Sequence, residues 1–337
     1  MKAEALRGPS LNANAIDGAV LAHSLMGANG RHRPLLHKGH ILSRGDWPLV
    51  AQSRAAELHV IRIEPGEVHE DEAARRLAQI VAGPGITCHE PVESQVRLSA
   101  AVNGIFQVDV ARLQALNSIA DISIFTLFDG QLVSKEKTVA GVKVTPFVVP
   151  SDRLDEAERA AGPGGVVQVL AFRPMRVAIL VRERLDPAQR EKFQRSIDMK
   201  VSWFGSSISE IRFVPDALEA VEQAIDQLLP NADLLLTAGA NATDPLDPTL
   251  VALDRLGARM EKRGAPAHPG SAVWLAYLQD KPIFGVAACG MFSKATVLDL
   301  ILPRLFTGAR VTAADFNGLG HGGLLSKDMA FRFPGYE

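Results

Sequence analysis

Between residues 176 and 305, apolar runs too short and too regular for helices alternate with amphipathic stretches of helical period, and marked punctuation separates them. Strands that alternate with helices of about 10–15 residues fold as parallel β-α units whose sheet is covered on both faces. Residues 176–181 read as a buried strand. Asp186-Pro187 then opens a helix, since Asp accepts from free N–H groups and Pro fits the first helical position. A second strand is predicted at 211–214. Asp216-Ala217-Leu218-Glu219 has the form of a capping box, with Leu218, Val221, Ile225 and Leu228 on one stripe behind it. A third strand follows at 233–237. Asp247-Pro248 opens the next helix, with Leu250, Leu253 and Leu256 inward and Gly257 as its stop. Short strands at 273–278 and 282–287 and a last apolar helix at 293–305 complete the pattern.

Composition sets the outer limits. Of 337 residues, 47% are hydrophobic and 22% charged, so the chain can bury a core and is not a disordered protein. That length predicts about two domains. Lys+Arg is 36 against Asp+Glu 38, a balance unlike that of a protein that coats nucleic-acid phosphates, so no nucleic-acid partner is expected. The two cysteines, Cys88 and Cys289, exclude a disulfide framework and a Cys-rich metal site. No apolar run reaches the ~18 residues of a membrane span, and residues 1–18 lack the apolar core of a secretory leader. No membrane association is expected, and the cytoplasm is the expected compartment.

Ala160-Ala161-Gly162-Pro163-Gly164-Gly165 cannot hold a helix and marks a boundary, placed between residues 160 and 175. Before it, the reading is mixed α+β. Residues 38–43 read as a turn and short strand, 46–56 as a helix, and 59–63 as a strand. A helix through Ala73, Leu77 and Ile80 ends at Gly83-Pro84-Gly85. A short helix at 109–116 and strands at 122–127 and 139–149 follow. The predicted organisation is an N-terminal α+β region at 1–165, an α/β domain at 173–310 and a tail at 311–337. Within that tail, Gly318-Leu319-Gly320-His321-Gly322-Gly323 looks like a flexible segment able to fold over a site, not a phosphate loop, because no strand precedes it.

Ligands of parallel α/β sheets bind beyond the carboxyl ends of the strands. Two loops of small residues fall there: Ala238-Gly239-Ala240-Asn241-Ala242-Thr243-Asp244 and Ala288-Cys289-Gly290-Met291-Phe292. Both lead into predicted helix N-termini, which favour anions. The pattern suits a phosphate-bearing ligand held between them, and equally suits tight strand-to-helix turns with no ligand.

The segment Thr237-Ala238-Gly239-Ala240-Asn241-Ala242-Thr243-Asp244-Pro245-Leu246-Asp247 resembles the signature loop of the MoeA/MogA/gephyrin family of molybdopterin-binding domains, Thr-Ser/Gly-Gly-Gly-x-Ser-x-Gly-x-x-Asp. Thr237, Gly239 and Asp247 match in register. Pro269-Gly270 and Pro282-Ile283-Phe284-Gly285-Val286 are similar to two further family segments, in the same order. Asp17-Gly18-Ala19-Val20-Leu21-Ala22 and Lys38-Gly39-His40-Ile41-Leu42 resemble early segments of MoeA-like proteins. Ala240, Ala242 and Asp244 stand where the family has Gly, Ser and Gly, and Ser271 stands where a lysine is usual. The β-rich C-terminal domain typical of MoeA has no counterpart in these residues.

The resemblance implies a three-layer α/β molybdopterin-binding domain with a mostly parallel sheet. It implies a cofactor site made by Thr237, Gly239, Asn241, Thr243, Gly270, Ser271, Cys289, Gly290, Ser293 and Lys294. Asp247 would be the catalytic acid and the ligand of a Mg²⁺ ion shared with phosphate oxygens. The implied partners are a pterin phosphate, a second copy of the chain in a homodimer, and a client molybdoenzyme. Each residue also has a plainer reading. Asp247 suits a helix N-cap. Gly239 suits a turn that needs positive φ. Lys294 placed at a helix start opposes the helix dipole, a conflict that a phosphate would remove and that solvation also eases. Cys289 is a soft ligand or a buried inert thiol. His32, His37 and His40 have no carboxylate or thiol partners at metal-site spacing and read as surface residues beside Arg31, Arg33 and Lys38. Three functions follow: molybdenum insertion into molybdopterin, a non-catalytic carrier or sensor of the cofactor, and a CinA-like nucleotide hydrolase. A plain NAD-dependent dehydrogenase is not expected, because no Gly-x-Gly-x-x-Gly follows a strand.

Overall fold

The computed structural model describes residues 1–27, 33–182, 184–240 and 242–336, together with the backbone but not the side chains of Ala288, Cys289 and Lys327. His32 and Arg31 of the histidine-rich stretch, and Asn241 of the signature loop, lie outside the described residues. The chain forms two compact units, one of residues 1–102, 106–129 and 133–169, the other of residues 103–105, 130–132 and 170–337.

The first unit is mixed α+β. Lys2–Arg7, Glu57–Arg62 and Ala19–Leu21 form a three-stranded antiparallel sheet, with Glu57–Arg62 in the middle. Ile86–Cys88, Gln95–Ala100, Thr138–Val144 and Ile122–Thr126 form a four-stranded antiparallel sheet. Against its core lies the helix Glu70–Val81, which buries Ala73, Ala74, Leu77, Ala78 and Val81. The strand predicted at 139–149 is two strands, Thr138–Val144 and Val148–Pro150, because Pro146 between them has no N–H for a ladder. The helix predicted at 46–56 is shorter, Trp47–Ser53, after a 3-10 turn at Arg44–Asp46. His37 and His40 are exposed.

The second unit is built on one sheet of six strands. In chain order its elements are β1 (Arg176–Val181), α1 (Pro187–Ser202), β2 (Ser207–Phe213), α2 (Leu218–Leu228), β3 (Leu234–Ala238), α3 (Pro248–Arg255), β4 (Arg259–Arg263), β5 (Trp274–Leu278), β6 (Lys281–Val286), α4 (Val297–Leu305) and α5 (Ala313–Asn317). The strand order is β2-β1-β3-β6-β5-β4. The first four are parallel; β5 runs opposite to them, pairing antiparallel with β6 on one side and with the edge strand β4 on the other. Strand residues point alternately to opposite faces. Val177, Ile179, Val181, Leu234, Leu236 and Phe284 pack with α1 and α4 on one face. Ala178, Leu180, Leu235 and Ile283 pack with α2 and α3 on the other.

Several predicted boundaries change, each for a local reason. The last helix begins at Val297, not at residue 293, because Thr296 and Asp299 form a capping box that starts it there. The helix after Asp216 begins at Leu218 with Ala217 as its uncapped N-cap, since the Asp216 carboxylate pairs with Arg182 instead. The edge strand β4 carries no apolar run and was not expected. Residues 311–337 are not a loose tail: Val311, Phe316, Leu319 and Phe333 are buried in the same core as α4. Gly318–Gly320, expected to be flexible, is a 3-10 turn continuing α5.

Gly285 shows how tightly this sheet is packed. It lies opposite Trp274 in the β5–β6 ladder, and a Cβ there would stand 2.1 Å from Trp274 Cε2. Trp274 is 1% exposed, so its ring has no room to retreat. Gly285→Ala is expected to lower the unfolding free energy by about 1–3 kcal/mol, the usual cost of overpacking. Urea denaturation checks this, and an unchanged midpoint would mean that the indole does not lie across Gly285.

Candidate functional site

Neighbouring parallel strands end together. Ala238 of β3 pairs with Val286 of β6, so the loops that follow both strands leave from the same edge of the sheet. Gly239, the first residue of one loop, has φ +90, a conformation that L side chains rarely adopt. Asp244 then stabilises a turn by accepting from the Leu246 N–H at 2.9 Å. Asp247 closes the loop as the N-cap of α3, its Oδ1 accepting from the Thr249 N–H at 2.8 Å.

Asp247 is 2% exposed, and Arg182, the residue just after β1, meets its Oδ2. The Arg182 backbone N–H extends the ladder to the Ala238 carbonyl at 2.9 Å. Its guanidinium donates to the Gly239 carbonyl at 2.8 Å, to Asp247 and to Asp216. The arginine side chain is 7% exposed and Asp216 60%. One pair is therefore desolvated and geometrically fixed, and the other is screened by water. Nearby lie two buried side-chain polar atoms without a hydrogen-bond partner, the only two such atoms among the described residues: Arg182 Nε and Thr237 Oγ1. Leu180 and Thr237 are register partners, so these unsatisfied atoms share the edge that carries the loop. A buried unpaired donor or acceptor costs about 1–3 kcal/mol and calls for an explanation.

The Mg²⁺ implied by the resemblance does not fit these residues. A hard divalent cation takes several oxygen ligands. One Asp247 oxygen is held by the Thr249 amide and the other by Arg182. Among the described residues, no group of three or more His, Cys, Asp or Glu is placed to hold a metal.

The second loop belongs to a different network. Ala288–Met291 is a 3-10 turn, and Gly290 packs tightly, a Cβ there lying 3.2 Å from Val286 Cγ1. The Cys289 side chain is outside what is described. Ser293 and Lys294 precede the α4 N-cap, so Lys294 is not in the helix and meets no dipole conflict there. Its ammonium donates to the Tyr336 carbonyl at 3.1 Å. The Ser293 carbonyl accepts from Lys200 Nζ at 2.8 Å. Lys200 and Asp299 form an ion pair with both side chains fully buried. Tyr336 donates its hydroxyl to Asp299 Oδ1 at 3.0 Å, and its ring lies 4.8 Å from Lys200 Nζ. Desolvation lowers the Lys200 pKa, opposed by Asp299, and the same burial raises that of Tyr336. Two N–H groups at the start of α4 already have partners: that of Thr296 donates to Asp299 Oδ2 and that of Val297 to the Pro269 carbonyl. Gly270, at φ +104, is pressed against that helix start, where a Cβ would lie 2.9 Å from Val297 N. Ser271 and Thr243 are exposed.

Sequence reasoning missed Arg182 and Lys200. Arg182 had one signal, a charge directly at the carboxyl end of a buried strand. Lys200 had a clearer one, since it falls among Phe193, Ile197 and Val201 on the apolar stripe of α1.

No family model and no curated protein matches the chain. Solved structures of low similarity do. A molybdopterin biosynthesis MoeA protein from Pyrococcus horikoshii is 14% identical, with 72% of this chain and 79% of that one covered and a TM-score of 0.33. The molybdopterin biosynthesis enzyme MoaB from Thermus thermophilus is 19% identical, covering 40% of this chain and 98% of its own, with a TM-score of 0.30. A molybdenum cofactor biosynthesis protein from Pyrococcus furiosus is 15% identical, covering 59% and 70%, with a TM-score of 0.27. At such scores the function has to be argued from the residues themselves. Among the described residues, no helix is long and apolar enough to cross a membrane.

The buried phenol has a pH consequence. Tyr336 stays protonated in the folded state above its ordinary pKa of about 10, whereas the unfolded chain releases that proton, so its contribution is full below about pH 10 and is lost as pH rises further. Tyr336→Phe is expected to cost about 1.5–3 kcal/mol at pH 7, the worth of a hydrogen bond to a charged group. The gap should narrow above about pH 10 in urea titrations of both proteins; a constant gap would place the phenol outside the network.

Proposed function

We propose that this chain binds a phosphate-bearing pterin of the molybdopterin kind at the carboxyl edge of the second unit's sheet, and takes part in biosynthesis or maturation of the molybdenum cofactor. The observation that carries the reading is the segment Thr237–Asp247. Its Thr237, Gly239 and Asp247 match the family's signature loop in register, although Ala240, Ala242 and Asp244 depart from it, and it leaves the sheet beside the second small-residue loop. Gly239 at positive φ, the unpartnered Thr237 hydroxyl and a buried guanidinium suit backbone and side-chain contact with an oxyanion.

Of the three functions that the sequence leaves open, carriage or sensing of the cofactor is favoured over molybdenum insertion. What favours it is the engagement of Asp247, whose carboxylate caps α3 and is held in an ion pair by Arg182. Nucleotide hydrolysis has no comparable support, since it too would call on an unengaged acid.

Native mass spectrometry of protein purified from cells that make the cofactor is expected to show a bound pterin phosphate, released on denaturation. Gly239→Val is expected to abolish that adduct, because a β-branched residue is strained at φ +90 and fills the approach to the backbone. Protein that carries no pterin and takes up none when mixed with a phosphorylated pterin would overturn the reading.

A further inference from the structure

The family resemblance implies a divalent cation beside Asp247, and in the structure that place is taken by a guanidinium. We propose that Arg182 is built in where a metal would act: it is the fixed positive charge that receives the ligand's phosphate, and the site binds without Mg²⁺. The inference rests on the pterin-phosphate reading and specifies how that site holds its ligand.

Three features carry it. First, Arg182 is pre-oriented. Its backbone is fixed by the β3 ladder, and its guanidinium by the Gly239 carbonyl at 2.8 Å and the buried Asp247. Such a charge needs little reordering to meet an oxyanion. Second, its remaining partner is replaceable. Asp216 is 60% exposed and sits in the turn before α2, capping nothing. A carboxylate and a phosphate offer a guanidinium the same oxygen geometry. Asp216 therefore stands in for the ligand's phosphate and swings into solvent when that phosphate arrives. Third, the guanidinium is not saturated, because Nε has no acceptor. The Asp247 carboxylate, meanwhile, cannot serve a cation without giving up its buried, fixed ion pair with Arg182, which is unfavourable.

Fluorescence titration with neopterin phosphate tests this, in EDTA and in excess Mg²⁺. The expected result is the same affinity in both buffers. Asp216→Asn removes the competing carboxylate and should tighten binding roughly two- to five-fold, the range of an exposed ion pair. The double variant Arg182→Gln with Asp247→Asn removes both buried charges together, so neither is left alone. It should weaken binding by at least roughly ten-fold, the loss of a charge-assisted hydrogen bond. Because Asp216 is exposed, its variant tests the idea even if the double variant fails to fold. Binding that requires Mg²⁺ would overturn the inference and leave the pterin reading standing. Weaker or unaltered binding in Asp216→Asn would overturn it in the same way. Absence of binding in either buffer would overturn the pterin reading and this inference with it.

Discussion

A parallel sheet has no face to spare for water, because each crossover helix must return over one side or the other. In the second unit this constraint fixes nearly everything else. It demands strands such as Arg176–Val181 and Leu234–Ala238 that are apolar on both faces, and helices with one apolar stripe each. It also sends the polar chemistry to the strand ends, where backbone groups leave the ladder. The loops at 239–247 and 287–296 lie there because they follow β3 and β6, which end together at the carboxyl edge of the sheet.

The same economy governs the buried charges. Arg182 and Lys200 are each held by a carboxylate with which they are desolvated, Asp247 and Asp299. Each of those acids also caps a helix, α3 in one case and α4 in the other. One carboxylate thus satisfies a helix start and a cation at once, which lowers the number of charges that must be buried. The two pairs differ in what remains open. The Lys200 network is closed by Tyr336 and by the Ser293 carbonyl. The Arg182 network keeps an unpaired Nε and an exposed partner in Asp216, and Thr237, with an unpaired hydroxyl, lies at the same edge of the sheet. This difference is why the proposed binding site is placed at the first loop, while the surroundings of the second form a closed network of their own.

Helix starts were the most legible local feature where a side chain caps its own helix. Asp186-Pro187 and Asp247-Pro248 both open helices, because the cap bond is made within a few residues. Asp216 failed as a cap because a partner 34 residues away competes for its carboxylate. Residues 293–296 look helical on apolarity alone, whereas the Thr296–Asp299 box places the start at Val297. The edge strand β4 escaped notice since Arg-Met-Glu-Lys-Arg has no apolar face; it is a strand through pairing with β5. The 311–337 segment looked loose because its anchors, Val311, Phe316, Leu319 and Phe333, are too widely spaced to show a period.

By itself the sequence determined the β-α alternation of the second unit, the strands that end at the candidate loops, and the residues Thr237, Gly239 and Asp247 that resemble a known signature. These are local properties: hydrophobic period, cap chemistry and the φ freedom of glycine act over a few residues. Tertiary structure alone decided what Asp247 faces. The ion pair with Arg182 joins positions 65 apart, and a charge next to a strand end declares no partner until the strands are placed side by side. That pairing turns an acid that resembles a metal ligand into half of a buried pair, because in a desolvated site the nearest fixed cation claims the carboxylate.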